Sequence, residues 1–497
     1  MTGPPDPTER AQRVVEERLE ELGDPEGAPA NPAGTLAVGS GSLVPEEPAP
    51  GEAAPGTTRE IWRLAWPVML SQGLAAMVAL IDVAMVGRLG PEAQAAVGYA
   101  VQLFFVSQSA LFALSFACVA VMARSIGAGR LDESRKAFAA SLVLALGAAL
   151  VLSGLMLLAP RTLLRWLSAS PEVIDLCIPY LQYLMASAVL MGVCLTIESG
   201  LRANKDTRTP LRITVVVTIV KIALNALLIF GLAGFPKMGV TGAGLATLIA
   251  QCVAIVLFAG AIARSPANGP TGLRRRDLHG MGRLFPELIR ISIPGVGERL
   301  IMNAAMISYF AFIGAYGTVA AAAYTIGIRI LAFSWIPGIG YSQAVATLVG
   351  QALGAKDPAA ARRATARAAT LAVATAIVMG AIGALARKPL AEIFTVDPET
   401  VATLGPFMLC LALAQPVMQL HFTLAGAFRG AGDTWTPLVA AVLGNWVFRV
   451  PLAYLAAGVF DAPLIWIWLV LIFDHLTRAL WLTWSYRRKQ EIWAEAP

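Results

Sequence analysis

Ionisable side chains are sparse within the long apolar runs of this sequence, and their positions set the chemistry it could perform. Asp82 sits deep in the first run, Lys221 and Asn225 lie one helical turn apart in the fifth, and Thr247 lies in the sixth. Glu298 falls in the seventh run, four residues after Pro294. A charge at mid-bilayer costs about 2.5–3.5 kcal/mol on insertion scales, so each of these residues is a candidate for holding an ion or a proton. Sodium, a hard cation, wants oxygen ligands. If Lys221 reaches Asp82, its ammonium fills the charge role of such an ion. The pair then reads either as a fixed pin between two helices or as one broken by protonation during turnover; the second reading is the one adopted. Glu298 offers a second carboxylate for a proton or an organic cation.

Other polar groups would support such a site. Arg449 needs a carboxylate or carbonyl partner, for which Glu298 is one possibility, and Arg299 and Arg329 also fall within or near spans. Glu198 and Arg202 are four residues apart, as are Asp474 and Arg478, spacings that pair side chains across one helical turn. His421 and His475 could relay protons, since imidazole titrates near physiological pH, although hydrogen-bonded packing is the simpler reading. Met77, Met302, Met306, Met418 and Phe310 could line an adaptable apolar chamber, because thioethers repack around varied ligands; the simpler alternative is core or lipid-facing packing. The five Cys all lie in apolar runs without metal-ligand spacing. No metal site and no cofactor is expected, and the coupling ion is H+ in preference to Na+.

The elements that must position these residues are membrane helices. The chain is 57% hydrophobic and 14% charged, against roughly 25% charged in soluble domains. The fold class is an all-α polytopic membrane protein. A span needs about 20 residues, and twelve runs qualify, near 62–87, 95–123, 137–159, 175–201, 210–233, 240–263, 287–314, 321–352, 366–387, 401–428, 437–459 and 463–486. Residues 1–58, rich in Pro, Gly, Ala and Glu, read as a disordered cytoplasmic tail. Residues 59–265 form a first lobe of six spans, 266–285 a basic cytoplasmic linker, and 286–497 a second lobe with a short cytoplasmic end. Alternate loops carry the basic residues, among them Arg130, Lys136, Lys205, Arg208, Arg274, Arg276, Lys356 and Arg363. The positive-inside rule then puts both termini in the cytoplasm, and the plasma (inner) membrane is the expected location. No basic domain stands apart to bind nucleic acid. A membrane enzyme would need a surface cluster of catalytic groups, and the chain has three His. A monomer working on a small organic molecule within a lipid bilayer is expected.

The two sets of six are copies. Leu201–Pro210 (LRANKDTRTP) returns as Phe428–Pro437 (FRGAGDTWTP), a shift of 227 residues, and the same shift relates Pro67 to Pro294, Gly87 to Gly314, Gly127 to Gly354 and Pro179 to Pro406. Six spans are an even number, so both copies insert the same way, related by a pseudo-two-fold axis along the membrane normal, with the transport path between them. Prolines at matched places are candidate hinges. The register also exposes mismatches: Asp82 opposite Tyr309, Glu298 opposite Ser71, and Lys221 opposite Phe448.

With its doubled turns, the Ile81–Gly90 segment (IDVAMVGRLG), Ala346–Ala355 (ATLVGQALGA) and Asn445–Leu452 (NWVFRVPL), the chain from about 60 to 490 resembles the multidrug and toxic compound extrusion (MATE) family. The resemblance implies export of amphipathic, cationic organic compounds driven by inward proton or sodium flux. It also implies that Asp82, with polar groups of the fifth and sixth spans, forms a cation or proton site, and that Glu298 is the seventh-span Glu found in many bacterial members. Two positions where sodium-driven members carry acids are Met302 and Met418 here, which weakens a sodium site in the second lobe. The wider superfamily includes flippases of lipid-linked intermediates, typically with more cationic residues lining the cavity, and this remains the alternative alongside a sodium-coupled exporter. The Gly-x-x-x-Asp-Arg-x-Gly-Arg loop of a major-facilitator transporter is absent between the second and third spans.

Overall fold

The apolar runs become helices because within a bilayer every backbone N–H and C=O must be satisfied inside the segment. The computed structural model describes residues 56–266 and 268–495; the expected tail lies outside the described residues up to position 55. Among the described residues, twelve helices are long and apolar enough to cross a membrane. We number them α1 (Thr58–Gly87), α2 (Pro91–Gly127), α3 (Leu131–Leu158), α4 (Pro171–Ala203), α5 (Arg208–Phe230), α6 (Gly239–Arg264), α7 (Phe285–Gly314), α8 (Thr318–Gly354), α9 (Pro358–Leu385), α10 (Pro398–Gly430), α11 (Trp435–Val459) and α12 (Leu464–Glu495).

Several helices outrun their apolar windows. The α9 helix starts eight residues before the expected 366, because Asp357 caps it (Oδ1 to the Ala360 N–H, 2.8 Å) and Pro358 begins it. Arg362 and Arg363, expected in a loop, ride its exposed face. Its other face is a stripe of Ala360, Ala364, Ala368, Ala372 and Ala376, all buried, ending at Gly380 against the backbone of α10. Small residues let two membrane helices approach closely. Two short helices, Pro160–Trp166 and Arg387–Phe394, were not anticipated; their first residues are again 227 apart. The 266–285 segment is pinned to α3 by Arg135, which pairs with Asp277 at 3.4 Å and donates to the Asn268 carbonyl at 2.9 Å.

The doubled turns repeat the same backbone reversal and the same cap. The Asp206 N–H donates to the Leu201 carbonyl and the Asp433 N–H to the Phe428 carbonyl, both at 2.9 Å. Each Asp then caps the following helix, accepting from the Thr209 and the Thr436 N–H at 3.0 Å. The chain reverses through a left-handed residue, Gly432 at φ 78° in one copy and Lys205 at φ 61° in the other. Glycine takes that conformation freely, whereas a side chain costs about 1–2 kcal/mol there.

A further Asp cap faces water. Asp397 accepts from the Thr400 hydroxyl at 2.5 Å and the Thr400 N–H at 2.9 Å, and the hydroxyl bond above all holds its pKa below the ordinary 3.8. A lowered folded-state pKa gives stability that is present above pH 3.8 and lost as the pH falls below it. Protection of the amides at the α10 N-terminus, corrected for the intrinsic pH dependence of hydrogen exchange, should therefore fall below pH 4 in the wild type, and Asp397→Ala should show the lower protection at all pH values.

The two repeats meet at the end that carries the doubled turns. A Cβ built on Gly127 would lie 1.9 Å from the Gln351 carbonyl oxygen, and one on its repeat mate Gly354 would lie 2.0 Å from that of Arg124. The Gln351 amide donates to the Ala203 carbonyl (2.8 Å), the Thr347 hydroxyl to that of Arg202 (3.3 Å), and Arg124 pairs with Glu287 (2.8 Å). Further along the same seam, Arg299 stacks on Phe112 and Arg429 on Phe116.

Candidate functional site

At the opposite end of the bundle, α1 packs on α5. The 3.6-residue period puts Lys221 and Asn225 on one face of α5, and each takes one carboxylate oxygen of Asp82: Lys221 Nζ donates to Oδ2 at 2.6 Å, and Asn225 Nδ2 to Oδ1 at 2.5 Å. Asn225 is fully buried, whereas the Asp82 and Lys221 side chains keep 28% and 20% of their exposure. Asp82 lies five residues before the end of α1, roughly 8 Å at the helical rise, so it sits toward one end of the span and not at its middle. Thr247 does not join the cluster by hydrogen bonding; its hydroxyl donates to the Ala243 carbonyl of its own helix.

Glu298 is not the partner of Arg449. It pairs with Arg429 at 2.6 Å, both side chains being nearly buried. The repeat explains this. Arg202 finds Glu198 one turn back at 2.6 Å, whereas its mate Arg429 has Ala425 at that place and reaches across to α7 instead. Arg449 turns to Asp474, 3.6 Å away, which also binds Arg478 through two bonds of 2.6 and 2.9 Å. His421 and His475 stack beside this cluster, ring centroids 5.1 Å apart. Arg329 is exposed and makes no ion pair among the described residues.

The expected chamber residues are not gathered in one place. Met302 and Met306 line a small cavity beside Arg449 and His475. Met418 is buried in an aromatic core with Tyr309, Phe407 and Trp468, which makes it a packing residue. Phe310 stacks on Tyr324 and, like Met77, is exposed.

Two stretches, residues 67–227 and 294–455, each match the MatE family model, and their starts are 227 residues apart. The chain belongs to the MatE family. A probable multidrug resistance protein NorM of Bradyrhizobium diazoefficiens is 30% identical over 411 residues, 80% of this chain and 86% of the relative. One from Thermotoga maritima is 26% identical over 437 residues, 86% and 92% of the two chains. Among solved structures, the fold is shared with the Vibrio cholerae MATE transporter VcmN in its bent form (TM-score 0.81, 20% identity, 88% of this chain and 97% of that one). It is also shared with a transporter from Pyrococcus furiosus described as having a binding pocket of reverse polarity (TM-score 0.82, 22% identity, 88% and 97%). This MatE protein is thus a multi-pass membrane transporter of small molecules, not an enzyme, and a multidrug efflux protein by family.

Within the MatE fold, the pairing of Glu298 with Arg429 was missed by sequence reasoning, as was Asp474 serving two arginines. A signal for the first existed: Arg429 keeps the arginine of the doubled turn but lacks the Glu that satisfies its copy. A cation without a local partner at that depth has to be matched from another helix.

Proposed function

We propose that this MatE protein exports amphipathic organic cations in exchange for protons, as a monomer in the plasma membrane with both termini cytoplasmic and no cofactor. The observation that supports this best is the Asp82 carboxylate held between the Lys221 ammonium and the Asn225 amide. With Asp82 ionised, the pair is neutral and the site tolerates a cationic substrate. A proton on Asp82 removes its charge and leaves Lys221 uncompensated, which repels the cation and favours its release. The positive-inside rule assigns the closed, basic end to the cytoplasm, so the partly exposed Asp82 faces the outer side in this conformation. That is the side from which a driving proton enters. An ammonium 2.6 Å from the carboxylate supplies the charge that sodium would bring, which favours H+ over Na+ because sodium needs an oxygen shell.

The test is efflux of a fluorescent cation from proteoliposomes under an imposed pH gradient or an imposed sodium gradient. Transport driven by sodium alone would overturn proton coupling, and export of a lipid-linked anion in place of the cation would overturn the substrate class. Glu298→Gln separates the second carboxylate from the first. It leaves Arg429 without its nearly buried partner and is expected to cost about 1–3 kcal/mol of stability, read as a lower Tm. If Glu298 also carries a coupled proton, the pH dependence of efflux shifts as well; an unchanged profile assigns it to holding α7 on α10.

A further inference from the structure

The interior of the second repeat carries more positive than negative charge. Arg299, Arg429, Arg449 and Arg478 face two carboxylates, Glu298 and Asp474. Glu298 is matched to Arg429, and Asp474 gives its two short bonds to Arg478. Besides the Tyr324 hydroxyl, Arg449 has one long contact to Asp474 at 3.6 Å and the face of Tyr309 at 4.4 Å, so the half-share of Asp474 is its one negative partner among the described residues, and its Nε has no hydrogen-bond partner there. Its side chain is 7% exposed. An unmatched cation at such a place costs several kcal/mol, by order of magnitude, unless a counter-charge joins it.

The backbone is built to put Arg449 there. Residues Leu443–Arg449 of α11 form a π-helical stretch, wider than an α-helix and ending on this arginine. Such turns frequently occur at functional sites. Gly444 in that stretch lies so close to α12 that a Cβ would sit 2.3 Å from Asp474 Oδ1 and 2.5 Å from Arg478 Nε. In the first repeat, the positions of Arg449, Arg478, His475 and Trp335 hold Ile222, Gln251, Leu248 and Gln108. The cluster is therefore not required by the shared six-helix scaffold.

A cavity of about 20 Å³ opens on this cluster, lined by Arg449, Arg478, His475 and Trp335 with Met302 and Met306 among its apolar walls. A water needs roughly 10–15 Å³ measured this way, so one water-sized or slightly larger occupant fits. Trp335 Nε1 and His475 Nδ1 are buried without hydrogen-bond partners among the described residues. The polar groups are thus two guanidinium groups, an indole N–H and an imidazole, a set dominated by donors. We propose that this cavity binds a small monovalent inorganic anion of the halide class. Water would satisfy the donors but not the excess charge, and an organic carboxylate exceeds the space. Thioether and aliphatic walls suit a polarisable, weakly hydrated ion. The site stands apart from the Asp82 reading, and its test does not use transport.

The experiment is thermal unfolding of the full chain in lipid nanodiscs, with sodium bromide replacing sodium gluconate at fixed sodium, ionic strength and pH. Tm is expected to rise along a saturable curve, with chloride competing. Trp335→Phe removes one donor and should shift half-saturation about tenfold, while Arg449→Gln should abolish the saturable phase. If Arg449→Gln does not fold, Trp335→Phe carries the test. Because the chain has 11 Trp, the part of bromide quenching lost in Trp335→Phe isolates Trp335, and it should saturate with the same half-saturation as the wild-type Tm. A linear response equal for bromide and gluconate, or unchanged half-saturation in Trp335→Phe, overturns the proposal. Acetate binding that chloride does not displace also overturns it, by assigning the cluster to a carboxylate.

Discussion

In proteoliposomes with an imposed pH gradient, Asp82→Asn is expected to reduce efflux to the background of protein-free vesicles while the protein still folds and inserts. The asparagine keeps the shape and the contact with Asn225, but it cannot switch charge and it leaves the Lys221 ammonium unpaired. Breaking a buried pair from one side costs about 3–5 kcal/mol. With 20–28% of the side-chain surface still exposed, solvent screening reduces this to roughly 1–2 kcal/mol. The stability loss and the transport loss are separable. Asp82→Asn combined with Lys221→Gln removes both charges, so Tm should recover while proton-driven efflux stays absent. A double variant that regains proton-driven efflux would make the pair a pin between α1 and α5 and end the coupling role of Asp82. A wild-type rate in Asp82→Asn alone would do the same.

The Asp82 cluster was legible in the sequence because its parts announce themselves locally. A lone Asp in an apolar run needs a partner, and Lys221 and Asn225 share a helical face by their spacing alone. The twelve spans and the 227-residue register were legible for a similar reason: hydropathy and matched Gly and Pro positions are one-dimensional signals. Helix ends were less so, as α9 shows, since an alanine-rich face lets a helix run on beneath exposed arginines. The pairings between different helices of the second repeat were hidden because they join distant residues. Glu298 and Arg429 are 131 positions apart, and Asp474 divides itself between a neighbour on α12 and Arg449 on α11. Local spacing gives Asp474 to Arg478, one turn away, but it does not say which partners Glu298 and Arg449 find; packing of α7, α10, α11 and α12 decides those. Nor could the π-helical turn that ends on Arg449 be read, because nothing in the residues Leu443–Arg449 separates a π-turn from an ordinary helical turn.

The seam between the repeats offers the second large effect. Gly127→Val should drive the population away from the closed conformation and slow turnover, although the variant folds. The added Cβ would meet the Gln351 carbonyl at 1.9 Å, backbone that cannot rotate away, and Gly350 and Gly354 crowd the same crossing from the other side. Overpacking of this kind costs about 1–3 kcal/mol, and it is felt in the closed state alone, since separating the repeats at this end removes the clash. A differential of that size shifts a two-state equilibrium roughly 5–150-fold. Spin labels at Glu133 on α3 and Arg363 on α9, both exposed and one on each repeat, should report a longer distance distribution in Gly127→Val. Gly147→Val, where nothing lies within 4 Å, should leave it unchanged. Alternating access needs both states at comparable free energy, so a substitution that disfavours one must slow export whichever ion drives it. Unchanged distances with full efflux would show that α2 and α8 do not separate at this crossing, and the opening would have to be sought elsewhere along the seam.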